Sequence, residues 1–158
     1  MQLRIRQRIF SWTDSYDVYD EEGQPRYSVK ASLFSLTHQI RVFDIRTGLE
    51  VGAIRQRLVS LLPTFEIFIG GRIRGTIRRK FTLLTQDYQV DYQGWDVAGD
   101  FMGWEYQVMH GHRKIMSITK EFLRLSDTYV LEYEDPMAEI PGLLLVLAID
   151  AANCSHND

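Results

Sequence analysis

The densest charge in the chain lies in G-G-R-I-R-G-T-I-R-R-K-F, Gly70 to Phe81. On an extended strand, period-two alternation predicts Arg72, Arg74, Arg78 and Lys80 on one face, opposite Ile73, Ile77 and Phe81. Arg4, Arg6 and Arg8 repeat the pattern near the N-terminus, as do Arg55 and Arg57 further along. Such a face suits phosphate groups, whether on lipid headgroups or another polyanion. The plainer alternative is a solvated exterior that discourages edge pairing. Stacking on nucleobases would need aromatic residues interleaved with the cations, and residues 70–81 do not supply them.

A second chemical feature is a lone carboxylate. Asp150 ends the apolar run Leu143–Ile149 in P-G-L-L-L-V-L-A-I-D. A helix apolar all round has no face to give to water, and a carboxylate near its C-terminal end opposes the helix dipole. Gln7, Gln56, Arg79 and Lys120 occupy strand positions whose parity points inward. Either β-bulges turn them outward, or some meet a buried partner, since an unpaired buried charge costs several kcal/mol. Asp150 is the predicted partner, fixing the depth of the helix.

Other reactive residue types read as structural. His110-Gly111-His112 falls in a predicted hairpin turn with no cysteine or carboxylate cluster at ligand spacing. Cys154, the single cysteine, excludes an internal disulfide and has no predicted base beside it. Trp12, Trp95 and Trp104 fit core or rim packing. No phosphate loop, nucleophile elbow or acid–base pair is present, so neither catalysis nor a metal or cofactor is expected.

The elements that must position these residues form a repeat. Ile5-x-Gln7-x-Ile9, Val29-x-Ala31-x-Leu33, Ile54-x-Gln56-x-Leu58, Ile77-x-Arg79-x-Phe81, Val97-x-Gly99-x-Phe101 and Ile118-x-Lys120-x-Phe122 share one pattern. A second strand follows each, entered at Tyr16, Ile40, Phe65, Tyr88, Tyr106 and Tyr129. Glu22-Gly23, Thr47-Gly48, Gly70-Gly71, Gln93-Gly94 and His110-Gly111 read as hairpin turns. About twelve strands result, at 3–11, 16–20, 26–34, 39–45, 50–59, 64–69, 72–82, 87–92, 95–101, 104–109, 113–123 and 128–134. Short connections make the neighbours antiparallel.

Beyond about ten strands an open sheet curls or splits, and the C-terminal helix decides between sandwich and barrel. A sandwich wants one apolar stripe; a barrel lumen wants a helix apolar on every side. Fourteen helical residues span ~21 Å, close to the ~20 Å height of eight-residue strands tilted by ~40°. The prediction is a mainly β chain: one domain over 1–158, a closed antiparallel barrel around a central hydrophobic helix at about 141–154. Pro141 suits its first turn, after a short turn at 136–139.

Several motifs resemble the LURP-one-related proteins: R-Q-R-I-F-S with D-x-Y-x-V-Y-D-E-E-G, F-S-L-x-H-x-I-R-V-F-D, I-R-Q-R-L-x-S-x-L-P-T-F-E-I-F-I-x-G and L-A-I-D-x-x-x-C-S. That family is similar to the tubby C-terminal domain and to phospholipid scramblases. The resemblance implies a twelve-stranded barrel around a hydrophobic helix, and in tubby domains phosphoinositide binding. Scramblases are tied to lipid movement and calcium. An acidic calcium segment is not evident here: Glu132, Glu134, Asp135 and Glu139 lack glycine-turned alternation.

Formal net charge is −3, so no global positive field recruits polyanions and any such binding needs a local patch. The apolar run is too short to cross a bilayer, and the alternating N-terminus has no signal-peptide core. The expectation is a non-catalytic cytosolic barrel, docking at the membrane periphery on anionic phospholipid headgroups, or on a protein partner, through its basic outer face. A small-molecule-binding protein or enzyme with a pocket at a barrel end is the alternative, and a nucleic-acid-associated regulator the weaker one.

Overall fold

A computed structural model describes residues 1–7, 15–34, 37–58, 61–80, 87–100, 105–123 and 126–154. Arg8, Ile9, Trp12, Phe81, Phe101, Trp104 and His156 lie outside the described residues, as do the side chains of Gln7, Leu33, Phe122 and Cys154.

Twelve strands run in order: β1 (Gln2–Gln7), β2 (Ser15–Tyr19), β3 (Pro25–Phe34), β4 (Thr37–Asp44), β5 (Glu50–Gln56), β6 (Thr64–Ile69), β7 (Arg72–Arg79), β8 (Asp87–Asp91), β9 (Trp95–Gly99), β10 (Glu105–His110), β11 (Arg113–Leu123) and β12 (Ser126–Tyr133). Each pairs antiparallel with its sequence neighbours, and β1 pairs with β12 from Gln2↔Glu132 to Gln7↔Asp127, which closes the barrel. The strand repeat read from sequence is therefore the barrel wall. Differences are confined to ends: β4 and β12 begin at Thr37 and Ser126, two residues before their expected starts. The glycines of the five predicted turns have positive φ, 70° at Gly48 for example, a region that side-chain-bearing residues avoid.

A 3-10 turn at Pro136–Ala138, capped by the Asp135 carboxylate accepting from the Met137 N–H, leads into α1 (Glu139–Cys154). The helix starts two residues earlier than expected, which places Pro141 in its first turn, where the missing N–H is harmless. Residues Leu143–Ile149 are at most 2% exposed, and inward strand residues such as Ile5, Val29, Ile54, Ile77, Val108 and Ile118 pack in the same core. Full burial of a side chain of this size contributes about 1.5–3 kcal/mol. Close approach has its own requirement. A Cβ on Gly52 of β5 would sit 2.8 Å from Leu144 Cδ1, and one on Gly142 of α1 would sit 2.7 Å from Met116 Sδ. Small residues on wall and helix let the two meet.

Candidate functional site: an anchored helix and a charged outer wall

Two buried carboxylates hold α1 in the barrel. Glu139, 6% exposed at the helix start, accepts hydrogen bonds from the hydroxyls of Tyr27 on β3 and Tyr133 on β12. Arg26 Nε donates to the same carboxylate at 2.7 Å. A carboxylate in the first helical turn also complements the dipole. Eleven positions on, Asp150 is 3% exposed and accepts from the Tyr129 hydroxyl at 3.0 Å. Burial, reinforced by Glu139, pushes Tyr27 up to about 12 and Tyr133 further. Tyr129 is raised furthest, by burial and then by the charge of Asp150. At neutral pH all three are therefore O–H donors.

The inward-parity polar residues that the structure describes keep their parity. No register shift turns them outward: Gln56 stands opposite Phe65, Arg79 opposite Tyr88, and Lys120 opposite Tyr129. Each is half-buried while its cross-strand neighbour is buried. Gln56 and Arg79 end their strands, so an inward side chain there reaches water at the barrel mouth. Lys120 places its ammonium 5.4 Å from the centre of the Tyr129 ring. Tyr129 itself, the donor to Asp150, reads in sequence only as an apolar core position. Glu139 was equally hidden among the carboxylates of E-Y-E-D-P-M-A-E, since its partners lie far away in sequence or six residues back.

Within the basic stretch the outer wall departs from the predicted arrangement. Between Ile67↔Gly75 and Phe68↔Ile73 the β6–β7 register shifts, leaving Arg74 as the extra residue of a β-bulge. Parity changes across it. Ile73 joins Phe68 on the outside, 57% exposed, and Arg72 pairs with Ile69 at the rim. Arg72, Arg74, Arg78 and Lys80 are all exposed, but they do not form one face. Arg78 donates to Gln89 at 2.8 Å on the wall, while Arg72 and Arg74 belong to the β6–β7 tip.

Cations and aromatic rings do interleave on the neighbouring strands, outside the 70–81 stretch. Lys30 and Arg41 each lie 5.0 Å from the Phe43 ring centre, and Arg55 lies 5.1 Å from that of Phe68. Ala53, on the same outer face between Arg41 and Phe68, is only 2% exposed. The long side chains therefore lie flat across the wall. Glu50 pairs with Arg41 at 2.6 Å and Glu66 with Arg57 at 2.9 Å.

His110-Gly111-His112 forms the β10–β11 hairpin, with Gly111 at φ 59°. No group of three metal-binding side chains occurs among the described residues. The helix occupies the lumen, and the clefts lie around the rim. A cleft of about 420 Å³ opens beside Met1, Lys114, Glu132 and Glu134, and one of about 180 Å³ beside Trp95, His110 and Met137. No helix among the described residues is long and apolar enough to cross a membrane.

The family model described as LURP-one-related matches residues 1–150. The chain belongs to the LURP-one-related family. A relative in Bacillus subtilis (strain 168), the uncharacterized protein YxjI, is 30% identical over 149 residues, covering 93% of this chain and 91% of YxjI. Among solved structures, the X-ray structure of the Arabidopsis thaliana protein AT5G01750 matches with a TM-score of 0.59. That match covers 96% of this chain and 91% of the other at 17% identity, so it speaks to the fold of this LURP-one-related chain and to nothing finer.

Proposed function

We propose that this LURP-one-related barrel is a non-catalytic docking module that binds anionic phospholipid headgroups through the basic part of its outer wall. The observation that carries the reading is the pairing of a filled lumen with exposed cations. Leu143–Ile149 pack the interior, while Arg72, Arg74, Arg78 and Lys80 remain exposed on and beside β7. Phosphate recognition by Arg needs only such reachable guanidinium forks. Anionic leaflets attract basic surface clusters within about a Debye length even when the whole protein is slightly acidic.

Co-sedimentation with phosphatidylserine–phosphatidylcholine vesicles tests it. Binding that weakens with salt, falls several-fold in Arg72→Gln/Arg74→Gln/Arg78→Gln, and is absent on pure phosphatidylcholine supports the proposal. Equal recovery with both vesicle types overturns it, and so does retention by a protein partner that the triple variant leaves untouched.

A further inference from the structure

We infer that membrane contact is made by one corner of the barrel, the adjoining β4–β5 and β6–β7 hairpin tips, which insert aliphatic side chains between anionic lipid headgroups. The inference rests on the docking reading and assigns it a place and a second, apolar component. Because β5 pairs with β6, the two tips are neighbours. They carry Ile45 at 42% exposure, Leu49 at 67% and Ile73 at 57%. These are large aliphatic side chains, held in water at the ends of ordered strands. Beside them on the outer wall Phe43 and Phe68 are half-buried beneath stacked cations.

Charge complementarity chooses the occupant. Arg46 sits between Ile45 and Leu49 in sequence, and Arg72 and Arg74 flank Ile73. Of the two acidic groups of the corner, Glu50 is neutralised by an arginine of the wall, and Asp44 is balanced by the nearby charge of Arg46, which leaves Arg72 and Arg74 as the cations in excess. Asp44 accepts from the Thr47 N–H at 2.9 Å, and Glu50 is paired with Arg41 at 2.6 Å. Exposed aliphatics alternating with exposed arginines match an anionic bilayer interface, where apolar groups enter the acyl boundary and cations stay at phosphate level. The bulge at Arg74 has a part in this, since without the register shift Ile73 would point into the barrel. Among the described residues of β8 to β10 the outward side chains are of another kind, with Gln89, Asp96, Glu105 and Gln107 facing water.

Sedimentation of the full chain with phosphatidylserine–phosphatidylcholine vesicles separates this inference from the reading beneath it. Leu49→Ser/Ile73→Ser, with both sites exposed and the fold checked by circular dichroism, is expected to bind about tenfold more weakly, as loss of inserted aliphatic groups requires. Leu49→Trp is expected to gain fluorescence quenching by brominated lipid relative to the wild type. If the wild type binds and the arginine variants weaken it, but the serine variant binds normally and the added tryptophan is not quenched, the insertion fails and charge docking stands. If the wild type ignores anionic vesicles, both fail. Binding of single-stranded RNA in the absence of vesicle binding would assign the corner to a nucleic acid and overturn the inference.

Discussion

Tyr129, Tyr27 and Tyr133 turn two buried carboxylates from a liability into fixings. Each donates a hydroxyl to an oxygen that burial has stripped of water. Replacing Asp150 with Asn removes the charge-assisted bond while keeping the shape. The expected cost is about 1–3 kcal/mol in urea unfolding, and an unchanged midpoint would remove Asp150 as an anchor. The raised tyrosines give a pH signature. A phenol favoured in its protonated form by the folded state stabilises fully below its unfolded value of about 10. That stability is lost as pH climbs through the folded value, about 12 for Tyr27 and higher for the other two. Thermal stability should therefore decline above about pH 10. Phenolate absorbance should show these three tyrosines ionising only with unfolding; early titration of all eight would contradict the burial. Sequence reading found Asp150 because a carboxylate after seven apolar residues breaks a pattern. It missed Glu139 and Tyr129 because nothing local marks them: one sits among other acids, the other at an ordinary core position.

At the scale of elements, alternation and turn glycines were sufficient to locate all twelve strands, since each wall residue faces either core or water. Bulges were not legible. The stretch 72–79 alternates acceptably in either register, so the shift at Arg74 became visible only through its partner strand. That single residue moves Ile73 outward and separates Arg72 from Arg78. A related constraint lies one residue on. A Cβ on Gly75 would stand 2.1 Å from the Asp91 carbonyl oxygen, a backbone atom that cannot swing aside. Gly75→Ala should force β7 and β8 apart and cost about 1–3 kcal/mol or more. Gly142→Ala meets the flexible Met116 thioether instead and should cost less. Matched unfolding curves would refute this ordering if Gly142→Ala proved the more damaging.

For the whole molecule, the helix that reads in isolation like a fragment of a membrane span is the plug of a closed barrel, and its apolar surface is spent inward. What remains for recognition is the exterior, with cations and exposed aliphatics on the β4–β7 side and acidic or neutral residues on the β8–β10 side. The fold was legible from sequence because a repeat and an all-apolar helix each allow few architectures. The corner proposed for docking was not, because it is assembled from two hairpin tips and a register shift. Hydrogen–deuterium exchange with and without phosphatidylserine-containing vesicles tests the docking claim most directly. Exchange is expected to slow at residues 45–49 and 70–74 and to stay unchanged over β8 to β10. Unaltered exchange at both tips, or slowing confined to the acidic wall, would contradict it.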